Sequence, residues 1–355
     1  MIVIQDILAA FGGVLNGVTQ SVMAMAFGFA MLPSAFAYMV GMIGCIVFNS
    51  SVPISFQAET IALAGAMGKD RRERLSMVLL AGLGMTVLGA LGLLEDIVAF
   101  AGSNVTAAMM AGVGLVLTKI SIDMVRSDHR LGGISMVMGV ITYAFTRDLV
   151  YTCVVSIIAS SAAYRLTGGE AGGIVQTEER LSFALPGFSW SILRGTLALM
   201  CITIGGNIAF GQVSGSISNL EVNVDHISIY SGLADACSAL FGGSPISVVI
   251  SSTAAAPHAK WSAVIMMAIM TAILLSRQLP RLIKYIPSAA VSGTLFILGA
   301  VMTVPSNLQA AYGNASAGSA LASSITLVVT AFTDPFLGLV AGIVVNLLAA
   351  PLGLG

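Results

Sequence analysis

The tetrad x-Pro-Ile-Ser occurs twice in this chain of 355 residues, at 52–55 and at 244–247. Gln57 and Glu59 follow the first copy, and a pair of serines follows the second. Carboxylate, carboxamide and hydroxyl groups can bind a polar solute or carry a proton, but no metalloprotease, nucleotide-binding or hydrolase motif accompanies them. These residues predict a binding site, and the chain is not expected to be an enzyme.

The composition places this site in a membrane protein. Hydrophobic residues make up 57% of the chain and charged residues 9%, and the mean hydropathy is +0.97. Such a chain cannot solvate its own surface in water. Apolar runs predict an all-α polytopic protein with about fourteen transmembrane segments, the first of them retained rather than cleaved. The net charge of -1 offers no basic face for nucleic acid.

The two tetrads belong to two similar halves. The block at 94–115 aligns with 279–300, and Ala-Phe-Thr at 144–146 recurs at 331–333. Repeated blocks in the same order predict an internal duplication. We expect a first repeat at 1–165, a linker at 166–190 and a second repeat at 191–355. About seven segments in each half is an odd number, so the second half must be inverted relative to the first.

The prolines explain why a tetrad opens segment 3 and another opens segment 10. Pro53 and Pro245 each remove a backbone donor and favour extended geometry in the residue before them. We therefore predict a short extended piece followed by a half-helix in each half. Two such half-helices would direct their positive N-terminal ends towards the midplane, where a polar or anionic solute could bind.

The stretch GLADACSALFGGSPISVVISSTAAA (232–256) resembles the nucleobase permeases, which share their fold with the sulfate permeases. MAFGFAMLP (25–33) resembles the same family. The resemblance implies a core domain of segments 1–4 and 8–11, a gate domain of segments 5–7 and 12–14, and a homodimer. It further implies alternating-access transport of a purine, xanthine or uracil, coupled to H⁺ or Na⁺, in a bacterial or archaeal plasma membrane.

The sequence departs from this family at its acidic residues. The glutamate that the family carries in segment 10 is replaced by Ser251, which Ser252 follows. The acid usual in segment 8 is absent, and Thr203 lies near its place. The pseudo-equivalent position in the first half is occupied by Glu59, so the coupling role is expected there.

The predicted substrate-binding residues share polar side chains on segments 1, 3, 8 and 10; they are Gln57, Glu59, Ser247, Ser251, Ser252, Thr203, Asn207 and Gln20. Serine, threonine and amide side chains also join membrane helices to one another, so a packing role stays open for the neutral members. Pro53, Pro245 and Asp235 are expected to support the site. Four cysteines without CxxC spacing are expected to be small buried side chains, and neither a metal site nor a cofactor is predicted.

Two other functions compete with nucleobase transport. A small organic or inorganic anion fits two positive helix ends and a lost segment-10 carboxylate. A non-transporting scaffold or sensor fits the missing acids. Orientation is also open, because the positive-inside rule applied to basic loops such as GKDRRER (68–74) places both termini outside. The family resemblance implies both termini inside.

Overall fold

The computed structural model describes residues 3–167, 181, 183, 186–279, 286–313 and 315–349. The described elements of the first half are, in order, α1 (Ile4–Ala26), α2 (Met31–Val47), β1 (Ile54–Ser55), α3 (Ala58–Met67), α4 (Arg71–Ala90), α5 (Leu94–Ala101), α6 (Ser103–Ser127), α7 (His129–Thr146) and α8 (Leu149–Leu166).

The described elements of the second half are α9 (Trp190–Ser218), α10 (Val224–Leu240), β2 (Ser247–Val248), a 3₁₀ turn (Ser252–Ala255), α11 (Ala259–Leu275), a second 3₁₀ turn (Ser288–Val291), α12 (Ser292–Phe296), a π-helical segment (Ile297–Thr303), α13 (Val304–Tyr312), α14 (Ala317–Phe332) and α15 (Pro335–Ala349).

Long apolar helices account for the membrane character of the fold. Within the described ranges, five helical segments are long and apolar enough to cross a membrane: Ile4–Ala26, Arg71–Ala90, Ser103–Ser127, Trp190–Ser218 and Ala289–Tyr312. Shorter apolar helices of 10–17 residues accompany them. The helical membrane fold predicted from composition is confirmed, whereas the count of fourteen segments and the inverted repeat stay predictions.

The chain forms two compact units. The first takes in the described residues of Met1–Glu95, Gly172–Thr196 and Gly206–Tyr285. The second takes in those of Asp96–Ala171, Leu197–Gly205 and Ile286–Gly355. Their assignment as core and gate stays a prediction. Most of the predicted linker at 166–190 lies outside the described residues, as do Arg281 and Lys284 of the charge count.

Glycines bring helices of the first unit into close contact. A Cβ at Gly82 of α4 would lie 2.5 Å from the carbonyl oxygen of Gly232 in α10, and one at Gly232 would lie 2.5 Å from the carbonyl oxygen of Gly82. Small residues of this kind allow membrane helices to pack backbone against backbone.

Serines perform a similar task in the second unit. Ser135 of α7 donates a 2.6 Å hydrogen bond to the carbonyl oxygen of Ala290 and accepts one of 3.0 Å from the backbone N–H of Gly293. Ser121 of α6 donates a 2.8 Å bond to the carbonyl oxygen of Ser292. These bonds fix the irregular start of the α12 segment against α6 and α7.

The two tetrads meet as a pair of strands in the first unit. β1 begins directly after Pro53 and β2 begins two residues after Pro245. The strands pair antiparallel, with Ile54 opposite Val248 and Ser55 opposite Ser247. The backbone N–H of Val249 donates a 3.2 Å bond to the carbonyl oxygen of Pro53, which extends the pairing. The predicted extended pieces at segments 3 and 10 are confirmed.

The predicted second half-helix is wrong. β1 leads into α3, a helix of 10 residues, but β2 leads only into a 3₁₀ turn of 4 residues at Ser252–Ala255. Pro257 explains the difference, because a proline disfavours helical geometry in the residue before it. Ala256 is accordingly extended, with φ -74° and ψ 150°. Of the two described elements that follow the strands, α3 is therefore the one that presents a helix N-terminus of useful length.

Candidate functional site

The first turn of α3 is the centre of the candidate site. Gln57 is the N-cap residue, in extended geometry, and no side chain caps the helix. The carbonyl of Gln57 accepts the first helical bond from the N–H of Ile61 and a 3.1 Å bond from Thr60 Oγ1. The first backbone N–H groups of a helix have no intrahelical acceptor. They give this buried point a partial positive charge.

Glu59 occupies the second position of α3. Its side chain is buried, with a 7% exposed residue surface, and its carboxylate accepts a hydrogen bond from its own backbone N–H. Among the described residues, no ion pair of Glu59 with a basic side chain occurs. A carboxylate in the membrane normally pairs with another group or has a functional task. This makes Glu59 the residue of the site with the clearest need for a function.

The strand pair positions polar groups next to this turn. Ser247 of β2 donates a 3.2 Å hydrogen bond to Thr60 Oγ1, which directly follows Glu59. Ser55 of β1 bonds to the hydroxyl of Tyr38 at 2.9 Å, and the same hydroxyl accepts from the N–H of Phe56 at 3.1 Å. The structure thus brings Ser247 close to the start of α3, and Tyr38 of α2 holds the end of β1 in place.

The serine pair after β2 makes packing contacts. Ser251 Oγ accepts a 3.3 Å bond from the N–H of Thr253 and contacts Met266 Sδ at 3.6 Å. Ser252 is exposed, and its hydroxyl donates a 2.7 Å bond to the carbonyl oxygen of Ala9 in α1. These contacts favour the helix-joining interpretation of both residues, and their substrate role stays a prediction.

Glycines of α1 bring that helix against the same strands. A Cβ at Gly17 would lie 2.7 Å from Ser55 Oγ, and one at Gly13 would lie 2.6 Å from Ser251 Oγ. Gln20 follows Gly17 by about one turn, and its Nε2 donates a 2.9 Å bond to Asn16 Oδ1. Gln20 Oε1 is buried and has no hydrogen-bond partner among the described atoms. The substrate role of Gln20 stays a prediction.

The two predicted residues of α9 differ in their surroundings. Asn207 Nδ2 donates to Ser228 Oγ at 2.8 Å and to Ser231 Oγ at 3.3 Å, which joins α9 to α10. Its neighbour Gly206 lies next to Gln57, because a Cβ there would be 3.9 Å from Gln57 Nε2. Thr203 falls in the stretch Leu197–Gly205 that belongs to the second unit, and its substrate role stays a prediction.

Asp235 connects α10 to the second tetrad. Its buried carboxylate accepts a 2.6 Å bond from the backbone N–H of Ile246. That residue lies between Pro245 and β2 and would otherwise leave a buried donor unpaired. The geometry is the one that a bracing role requires, and the role itself stays a prediction.

Sequence reasoning missed several residues of this region. Ser55 could have been found, since it is the serine of the first tetrad, and Thr60 follows Glu59 directly. Tyr38 gave no signal, because nothing in the sequence shows that α2 packs beside β1. In the described part of the chain, no three His, Cys, Asp or Glu side chains lie together as metal ligands would.

Comparison with known proteins gives matches in structure but not in sequence. No family model matches the chain, and no curated protein sequence matches it. The transmembrane domain of a bicarbonate transporter, BicA, from a cyanobacterium has a TM-score of 0.69 at 15% identity, with 96% of this chain and 97% of that chain covered. This chain shares its fold.

Two further structures extend this likeness. The murine solute carrier 26 family member A9, an anion transporter in the inward-facing state, has a TM-score of 0.69 at 14% identity and covers 99% of this chain. The overall structure of SLC26A9 has a TM-score of 0.68 at 12% identity. The present chain spans 69% and 65% of the lengths of those two chains.

These neighbours support a membrane transporter fold of the type that sulfate permeases have. They do not support the nucleobase-permease assignment. One is a bicarbonate transporter, and the other two are structures of SLC26A9, which is named as an anion transporter. Identities of 12–15% show the fold alone. The transported solute, the coupling ion and the homodimer therefore stay proposals or predictions for this chain.

Proposed function

We propose that this protein is a secondary transporter that moves a small anion across a membrane by alternating access. The observation that carries the proposal is the uncapped, buried N-terminus of α3, which lies beside the paired strands β1 and β2. Unpaired backbone N–H groups at a helix start attract negative charge. The structural neighbours, a bicarbonate transporter and an anion transporter, support the same class of solute.

The single half-helix bears on how tightly such an anion is held. The 3₁₀ turn after β2 has 4 residues, too few to contribute a second macrodipole of comparable size. Each helix end contributes roughly 0.3–1 kcal/mol, more where it is partly buried. We therefore propose a site that binds weakly and releases its anion readily, as transport requires.

Glu59 supplies the coupling in this proposal. An ionised carboxylate in the first turn of α3 would repel an anion at the same helix end. A protonated Glu59 removes that repulsion, so anion and proton bind together and cross together. The side-chain amide of Gln57 then offers a neutral hydrogen-bond donor to the anion.

Nucleobase transport is the second candidate. The neighbouring carboxyl and carboxamide of Glu59 and Gln57 favour it, because such a pair can match the donor and acceptor edge of a neutral base. The anion is preferred, since the structural neighbours are anion transporters. The scaffold alternative predicts no transport of either class.

Ligand binding and uptake together separate these candidates. The purified protein is tested for thermal stabilisation by bicarbonate, sulfate, nitrate, benzoate, xanthine, uracil and hypoxanthine, and each ligand that binds is tested for uptake into proteoliposomes. Stabilisation and uptake confined to anions support the proposal. Uptake of a base alone establishes the nucleobase alternative, and a protein that takes up none of them agrees with a scaffold.

The matched variants are Glu59→Gln and Glu221→Gln. Glu221 is an exposed carboxylate between α9 and α10, so its loss removes the same charge without touching α3. We expect Glu59→Gln to remove coupled uptake and Glu221→Gln to behave as wild type. Equal uptake by both variants would contradict the role of Glu59.

A further inference from the structure

A second polar region of the first unit lies away from α3, at the start of α11. His258, Lys260 and Trp261 line a cavity of about 280 Å³ together with Asn49 after α2 and Ser218 at the end of α9. A water molecule takes up roughly 30 Å³ of liquid. The cavity is therefore large enough for a small ion with several of its waters, and smaller than most pockets for drug-sized ligands.

The charge of the lining is positive. Lys260 is the permanent charge among the residues that line the cavity, and none of these residues is a carboxylate. Its ammonium donates a 2.9 Å bond to Asn49 Oδ1 and lies 5.3 Å from the centre of the Trp261 ring. These two contacts hold the ammonium at the cavity while leaving further N–H donors unused, since an ammonium has three.

A buried acid that contacts the cavity lining already has its own hydrogen-bond donors. Asp6 of α1 is fully buried and accepts bonds from the N–H of Val3 at 2.8 Å and the N–H of His258 at 2.8 Å. Its Oδ2 also bonds His258 Nδ1 at 2.9 Å. The His258 ring is 39% exposed, and Nε2 is the polar ring atom left for the cavity.

The start of α11 adds hydrogen-bond donors that carry a partial positive charge. α11 has 17 residues and His258 as its N-cap, and no side chain caps it. The N–H groups of Ala259 and Lys260 thus have no intrahelical acceptor. The ammonium and the helix N–H groups converge on one cavity, and both kinds of group bind oxyanions in proteins.

We propose that this cavity is an anion-binding site, separate from the transport site, that takes a small oxyanion through the ammonium of Lys260 and the first turn of α11. The ligand chemistry is that of phosphate, either as a free ion or as the headgroup of an anionic lipid. The site shares no residue with Glu59 and its neighbours. Its existence therefore does not depend on which solute the protein transports.

Trp261 gives a direct readout, because the chain has 2 tryptophans and the other, Trp190, can be changed to Phe. In the Trp190→Phe protein, quenching of Trp261 is measured with iodide, an anion, and with acrylamide, which is neutral. Iodide quenching reports the local anion concentration, and acrylamide quenching reports exposure. Low and constant ionic strength is needed, since salt screens the attraction.

The variants are Lys260→Gln and, as a matched control, Lys119→Gln in the second unit. We expect Lys260→Gln to lower the iodide quenching constant about fivefold, the enrichment that a unit charge at contact distance gives in water. Acrylamide quenching should not change, which shows that the fold around Trp261 is intact. Inorganic phosphate should protect Trp261 from iodide quenching, and this protection should saturate, in the protein that retains Lys260. It should give no protection in the Lys260→Gln variant.

Vesicle composition distinguishes the two sources of phosphate. Protection by inorganic phosphate in phosphatidylcholine vesicles assigns a free anion, and protection by added phosphatidylglycerol without phosphate assigns a lipid headgroup. The reciprocal Trp261→Phe protein, which reports Trp190, corrects for repulsion of iodide by the charged membrane. The proposed site would be contradicted if iodide quenching were equal in the Lys260→Gln and Lys119→Gln variants. It would also be contradicted if neither inorganic phosphate nor phosphatidylglycerol protected Trp261. Either result leaves the transport proposal untouched.

Discussion

Ser247 Oγ donates a 3.2 Å hydrogen bond to Thr60 Oγ1, and this bond joins the serine of the second tetrad to the helix that follows the first. Ser247 also lies opposite Ser55 in the strand pair. The two halves of the chain therefore share one polar cluster at the start of α3. The predictions below test the parts of this cluster separately.

Gly17 tests the contact of α1 with β1. A Cβ at this position would lie 2.7 Å from Ser55 Oγ, so Gly17→Ala must push the helix or the strand aside. Overpacking of this kind costs about 1–3 kcal/mol, and uptake should fall with the displaced strand. Thermal unfolding and uptake are the measurements.

Gly133→Ala is the matched control for this change. Nothing lies within 4 Å of a Cβ added to Gly133 in α7, and alanine favours a helix over glycine by about 1 kcal/mol. We expect equal or higher stability and normal uptake. If both alanine variants behave alike, the close approach of α1 to β1 is not important for function.

Asp235 tests the brace on the second tetrad. Asp235→Ala leaves the buried N–H of Ile246 without its 2.6 Å acceptor, a loss of about 1–3 kcal/mol. Asp235→Asn keeps an acceptor oxygen and should retain most of the stability and uptake. Unfolding midpoints of the two variants decide the matter. Equal loss in both would show that the charge of Asp235, and not its hydrogen bond, is required.

Asn207 tests whether an amide on α9 joins helices or binds solute. Its two bonds to Ser228 and Ser231 indicate a packing role, and interhelical bonds of this type contribute about 0.6–2 kcal/mol. Asn207→Ala should lower the unfolding temperature while the KM for uptake stays unchanged. A raised KM with unchanged stability would contradict the packing role and would show that Asn207 binds the solute.

The repeated tetrad was enough to predict two extended pieces, because Pro53 and Pro245 restrict the backbone within one or two residues of themselves. It could not predict that the pieces pair with each other, since pairing depends on how α1, α2 and α10 pack around them. The extended geometry of Ala256 before Pro257 follows from the same local rule, yet a half-helix was expected after the second extended piece. Local sequence rules therefore located the site, but they wrongly predicted a half-helix after β2.

The polar residues show the same division. Glu59 and Gln57 were recognised because a carboxylate beside a helix start in apolar sequence is unusual. Asn207 was proposed as a ligand because it is polar, and Ser251 and Ser252 because they occupy the family's segment-10 position. The structure gives each of them a packing partner. The pair of Asp6 and His258 joins residues far apart in the chain, so no short motif could show it.

The central claim is that α3 binds an anion together with a proton on Glu59. Its most direct test is anion uptake into proteoliposomes driven by an imposed pH gradient, compared between wild type, Glu59→Gln and Glu221→Gln. Wild type and Glu221→Gln should accumulate the anion on the order of tenfold per pH unit, and Glu59→Gln should show no dependence on the gradient. Gradient-driven accumulation by Glu59→Gln at the wild-type level would contradict the claim.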